Sequence, residues 1–491
     1  MKKFSSLLLG VLLAVSTFFC ITSSGCKGCS SCNKQADRSS YEITCSYQDG
    51  VLTGKETFTF YNSFDNTVKT LKFNLFGNAF RKDAKYSPIL PQHTSLAYPN
   101  GISYGKMDIE KCTSEKGDLA YEICGEDQNI LKITLLEEVF PEERVTVQIH
   151  FKLTLANVVA RTGINDKTIN LGNFYPILCG YSNGFYESLY YAIGDPFFSD
   201  CADYLVTISM PEKYTLASAG KQLKTSLSNG VKTVQCALSN ARSFAMVLCS
   251  DFQTISATVN DTEIMYYYYE DRDAEKSLKF ATDSFKLFSE KFGKYPYETY
   301  SVVQTMFVQG GMEYPTITFI SDNIDGTAYG EVIVHETAHQ WWQTVVGNNE
   351  IEYGFLDEGL AEYSVVLYFE NYPEHQITRK SLISSAEQTY KVFCSVVDRL
   401  EGKVNTKMLR PLGDFSSEYE YVNLAYIKPC IMYDTLRSTI GDERFFKGLK
   451  RYYNDYSFKN ATPYDLVGAF EKIGADTNGF FEGFFDGKVV L

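Results

Sequence analysis

Histidine and tryptophan are scarce in this chain, with 5 His and 2 Trp among 491 residues. Positive charge is short too: 46 Lys and Arg stand against 60 Asp and Glu, a net charge of −14. Nucleic-acid binders carry basic faces, so that partner class is excluded. Internal repeats and low-complexity segments are absent as well. What remains is ordinary globular stock, 44% hydrophobic and 22% charged. Aromatics are abundant at 15%, supplied by 36 Tyr and 35 Phe, and read first as core material. The length exceeds one ordinary core, so two or more domains are expected.

Residues 1–25 read as a targeting segment. Lys2 and Lys3 precede an apolar run from Leu7 to Ile21, followed by Thr22, Ser23, Ser24 and Gly25. Small residues ending in Gly-Cys resemble a bacterial lipoprotein signal, with Cys26 as the lipidated residue. An ordinary cleaved signal and an uncleaved anchor stay open, since Phe4 to Ile21 nearly reaches spanning length. The expectation is therefore an exported protein, anchored at the cell-surface membrane, with Cys26 carrying the lipid. Residues 26–40 are polar and rich in Cys and Ser, and read as a tether. Cys26, Cys29 and Cys32 have metal-like spacing, but beside a cleavage site they read as tether chemistry. Cys112 and Cys124 are close enough in sequence for a disulfide, which export would permit.

The fold class reads as α+β and multidomain. From 41 to about 255 strand signals dominate. Val145, Val147, Ile149, Phe151 and Leu153 alternate with polar residues, and Tyr204–Met210 is closed by Pro211. That half is expected to be an antiparallel β domain, saddle- or sandwich-like. Leu278, Ala281, Phe285, Phe288 and Phe292 then recur at helical steps, ended by Gly293 and Pro296. Tyr300 to Phe307 reads as a strand, and helices are expected over 330–346, 357–370, 380–398, 429–440 and 463–473. Residues 256–491 are thus expected to form an α-rich domain with some sheet.

Two of the five His stand in His335-Glu336-Thr337-Ala338-His339. Residues four apart on a helix point the same way, so both imidazoles offer ligands to one metal. Glu336 sits beside that face, placed to take a proton from water that the metal acidifies. Nineteen residues after His339 comes Glu358, a carboxylate able to complete a His2Glu site with one position left for water. His93, His150 and His375 lack ligand spacing. Glu362, one turn after Glu358, reads either as an orienting partner for a ligand His or as a solvated carboxylate.

This constellation resembles the M1, or gluzincin, aminopeptidases. The likeness rests on H-E-x-x-H with its eighteen-residue gap to Glu358, and on Gly310-Gly311-Met312-Glu313 upstream. Phe292–Tyr297 and Asp195–Tyr204 are also similar. The resemblance implies a thermolysin-like catalytic domain over 256–491, a single Zn(2+) and peptide substrates with a free N-terminus. It assigns Glu313 to the substrate's α-amine, within a substrate-binding Gly310, Gly311, Met312 and Glu313. It assigns Tyr426, in Tyr426-Ile-Lys-Pro-Cys430, to the developing oxyanion. Departures are Tyr314 where Asn is usual, and Pro429 and Cys430 where Gly and Ala are usual. The chain also stops about 130 residues after Glu358, short of the large helical C-terminal domain common in the family. The expected activity is aminopeptidase, with Glu336 as general base. The rivals are a thermolysin-like endopeptidase and a non-catalytic peptide-binding surface lipoprotein.

Overall fold

The computed structural model describes residues 37–489. The targeting segment, Cys26, Cys29, Cys32 and most of the tether lie outside the described residues. Residues 38–491 form one compact unit.

The N-terminal half is built on an eight-stranded sheet with the order Lys221–Ser228, Val231–Ala241, Ala202–Pro211, Ser40–Gln48, Val51–Tyr61, Arg144–Thr154, Lys106–Ser114, Gly117–Asp118. Alternation dictates its faces: Val147, Ile149, Phe151 and Leu153 are buried while Gln148, His150 and Lys152 are half-exposed. Two four-stranded sheets pack against it. The expected antiparallel pairing holds except at the centre, where Ser40–Gln48 runs parallel to Ala202–Pro211. That pairing joins strands some 160 residues apart, which no local turn signal reveals. Cys112 and Cys124 lie in different sheets and both thiols are free, so the suspected disulfide is not formed.

One residue breaks the alternation from within. Glu56 shares the inward face of its strand with Leu52 and Phe58, fully buried, and neither carboxylate oxygen has a partner. Burial pushes its carboxyl well above the ordinary value of 4.5. A raised folded-state value leaves stability complete below 4.5 and drains it as pH rises towards the folded value. Glu56→Gln is therefore expected to gain up to about 3 kcal/mol over the parent at pH 7. Urea unfolding at pH 7 and pH 4 checks this, with the advantage vanishing at the lower pH.

Strand partnership changes between Cys249 and Gln253, where a five-stranded sheet begins. Its order is Gln253–Val259, Thr262–Tyr268, Thr299–Thr305, Ile317–Ser321, Gly311–Met312. The helix Ala274–Lys291 is the crossover between its first two parallel strands, burying Phe280, Ala281, Phe285 and Phe288. Both edge strands are antiparallel to their neighbours, Gln253–Val259 at one end and Gly311–Met312 at the other. Helices follow at Gly326–Ala338, Phe355–Asn371, Arg379–Glu401, Lys428–Ile440 and Pro463–Glu471. Helix Asp442–Tyr456 was not expected, although Phe445, Leu449, Tyr452 and Tyr453 carry its buried stripe.

The expected helix over 330–346 ends instead at Ala338. The chain folds back there: Trp341 N–H bonds the Ala338 carbonyl, Val346 N–H the Trp341 carbonyl, and Gln343 takes a positive φ of 137°. Burial of Trp341 and Trp342 stabilises the tight turn.

Candidate active site

Two consecutive helices bring three donor atoms together. His335 and His339 lie one turn apart at the end of Gly326–Ala338, and Glu358 sits in the first turn of Phe355–Asn371. His335 Nε2 and His339 Nε2 are 3.1 Å apart, and each is 3.2 Å from Glu358 Oε2. Ligands in a tetrahedral zinc shell with bonds of about 2.0–2.2 Å stand about 3.3–3.5 Å apart, so the triangle suits that ion.

The other ring nitrogens show how the imidazoles are aimed. His339 Nδ1 lies 2.9 Å from the Trp342 carbonyl, a contact created by the tight turn. A carbonyl only accepts, so Nδ1 carries the proton and Nε2 turns its lone pair to the centre. His335 Nδ1 lies 3.3 Å from Glu362 Oε2, which gives Glu362 the orienting place. Burial disfavours charge on His335, but Glu358 and Glu362 outweigh it and push the imidazole up to about 10. Burial likewise opposes ionisation of Glu358, yet hydrogen bonds to both His hold its carboxyl far below the ordinary value. The two imidazoles thus hold protons without metal and would lose them to solvent when a divalent ion binds.

Glu336 is buried beside the triad, its Oε2 shielded and unpartnered. Burial pushes its carboxyl up to about 7 against the pull of His335 and His339. Gly311 is what admits it: a Cβ there would stand 2.2 Å from Glu336 Oε1. Gly310 has no such neighbour, its nearest contacts being 3.7 Å away. Met312 is buried and its Sδ receives Arg161 Nε at 3.0 Å.

Glu313 follows the edge strand and is buried, with Oε1 unpartnered. Glu313, Glu336 and His339 each present a ligand atom within 4.8 Å of the others. Tyr314 is buried and its hydroxyl donates to Asn173 Oδ1 at 2.7 Å, so this departure from the family pattern ties the edge strand to the β half.

Tyr426 lies in a π-helical stretch, Val422–Ile427, that runs into Lys428–Ile440. Single π turns gather at functional sites because they displace a side chain from helical register. Its ring stacks on His335 at 5.8 Å and its hydroxyl donates to Glu358 Oε1. Pro429 fits its departure site, sitting in the first turn of the following helix where its missing N–H costs little.

Gly310, Gly311, Glu313, His335, Glu336, His339, Glu358, Glu362 and Tyr426 line one open cleft of about 470 Å3, whereas Met312, Tyr314 and Pro429 do not. Sequence reasoning gave no role to three other residues that line it. Asp195 is buried and ion-paired with buried Arg161, and Tyr421 packs over Gly194 and Gly354. Asp195 stood within a segment similar to the family, which was the available signal. Arg161 had none, since only tertiary folding brings it there. His93 and His375 lie in turns away from the triad, and His150 is on its strand.

Residues 276–484 match the family model "Peptidase family M1 domain". Leucine aminopeptidase 2-1 of Meyerozyma guilliermondii is 27% identical over 197 residues, which is 37% of this chain and 30% of that protein. Leukotriene A-4 hydrolase of Xenopus laevis is 26% identical over 207 residues, 40% of this chain and 31% of that protein. The chain thus spans about a third of the length of these relatives. Among solved structures, the M1 zinc metallopeptidase from Deinococcus radiodurans superposes with a TM-score of 0.67 at 16% identity, covering 93% of this chain and 95% of that one. The fold is shared across that whole length. The metal triad, the buried Glu336 and the Gly-Gly-Met-Glu edge strand all fall inside the matched region, which is where the likeness to the M1 peptidase family lies.

Proposed function

We propose that the chain is a zinc aminopeptidase that removes N-terminal residues from peptides. The observation that carries this is the placing of Glu313: a buried carboxylate with a free oxygen, its ligand atom within 4.8 Å of those of Glu336 and His339. An ammonium held there leaves about one residue's span between the N-terminus and the metal.

When bound by His335, His339 and Glu358, zinc supplies Lewis acidity, acidifying water and polarising the scissile carbonyl. Glu336 takes the proton from the attacking water and passes it to the leaving amine. Tyr426 directs its hydroxyl proton to the developing oxyanion, in competition with Glu358 Oε1. Glu313 pairs the substrate ammonium. Gly311 keeps Glu336 at the edge strand, whose backbone is free to align an extended peptide. Peptides as substrates are supported by the fold shared with a Deinococcus radiodurans M1 enzyme mutant solved with a Tyr-Ser-Ala substrate.

The test is a pair of peptides differing only in the N-terminus. Acetylation removes the ammonium, so the acetylated peptide is expected to lose about 10²-fold or more in kcat/KM, as when a buried charge loses its partner. Equal cleavage of both would favour the endopeptidase reading. The leader supports a further part of the reading: export, with lipid on Cys26 as the membrane anchor. Mass spectrometry of the mature N-terminus tests it, an unmodified start beyond Cys26 being the contrary result.

A further inference from the structure

Behind Glu313, away from the zinc triad, the structure gathers a second set of buried carboxylates. Glu350 follows the N-cap residue Asn349 in a short helical turn, and Asp357 immediately precedes Glu358. Glu313, Glu350 and Asp357 each present a ligand oxygen within 4.8 Å of the other two. The three are 4%, 4% and 3% exposed. Gln343 Nε2 donates to Glu350 Oε1 at 3.1 Å, and Asn348 Nδ2 donates to Asp357 Oδ1 at 2.9 Å. These amides fix the carboxylates in place and leave other oxygens unused. Glu350 Oε2 and Glu313 Oε1 are shielded from solvent and have no partner.

No Lys or Arg offsets this charge among the described residues. Arg161 is committed to Asp195, and Arg242 donates to Gln343 O, Ser199 O, Asn460 Oδ1 and Lys459 O. Zinc, when bound, is balanced by Glu358 and Glu336. Three buried carboxyls with no cationic side chain paired to them are neutralised either by protons or by a bound cation.

We infer that Glu313, Glu350 and Asp357 hold a second ion, a hard divalent cation of the calcium or magnesium class. An all-carboxylate oxygen set selects such ions over zinc, which prefers nitrogen and sulfur. On the Glu350 side alone a small cavity, which Gln343, Asn348 and Arg242 also line, has space of about 20 Å3, enough for one water. Glu313 then meets the ion on one side and the substrate ammonium on the other. That last step rests on the aminopeptidase reading; the ion itself does not. It would fix Glu313 from behind while the carboxylate faces substrate.

Zinc-loaded full-length protein is equilibrated with calcium chloride or magnesium chloride, and bound metals are counted by mass spectrometry while Tm is followed against cation concentration. One calcium or magnesium per chain beside one zinc is expected, with a saturable rise in Tm. Glu350→Gln is expected to lose the second ion and the rise in Tm while keeping zinc. Glu350→Asp, which keeps the charge, weakens the binding instead and serves if the first variant does not fold. Protein that binds neither cation, or a Tm response identical in Glu350→Gln, overturns the inference. Because ions are counted and not turnover, this result is distinct from any failure of the peptidase assignment.

Discussion

Glu336→Gln is expected to lower kcat on the order of 10³-fold while the bound zinc stays at one per chain. The side chain is not one of the three converging donors, so its amide removes the proton acceptor and leaves the ligands intact. The shape is nearly unchanged, and the contact with Gly311 survives in an isosteric amide. KM should move little, since the loss falls on a proton transfer that occurs only on the way to the transition state. Steady-state kinetics together with metal analysis on one preparation checks both halves. Turnover within about tenfold of the parent would remove Glu336 from its role.

Tyr426→Phe carries the second large effect. Its hydroxyl is placed between the ligand carboxylate and the cleft, donating to Glu358 Oε1 in the free protein. Burial holds the phenol far above its ordinary value, with Glu358 adding to the effect, so it remains a proton donor throughout the working pH range. Removing one oxyanion donor costs on the order of 10²–10³ in kcat, about 3–4 kcal/mol. Phe keeps the stacking on His335, so zinc content and fold should be unchanged. A fall in zinc occupancy in place of kcat would mean that the hydroxyl acts on Glu358 and not on substrate.

The metal triad was legible because most of its geometry is local. His335 and His339 need only one helical turn, and Glu358 needs only the start of the next helix. Glu313 and Tyr426 were singled out through their motifs alone, and the fold places both on the wall of the cleft. What escaped was long-range. The buried pair Arg161 and Asp195 joins residues 34 apart in sequence, and the central parallel pairing joins Tyr41 to Tyr204. Periodicity also overran the helix after His339. The apolar residues Trp341, Trp342 and Val345 suit a continuing helix as well as a buried turn, and the choice is made by packing against Phe288, Phe292 and Tyr452. That turn matters for function, because the Trp342 carbonyl it presents is what fixes the His339 proton on Nδ1.

The most direct measurement is X-ray diffraction from crystals of the purified protein, recorded on both sides of the zinc absorption edge. A single zinc peak is predicted, bounded by His335 Nε2, His339 Nε2 and Glu358 Oε2. A zinc ion found elsewhere in the molecule, with that triangle left without one, would contradict the account.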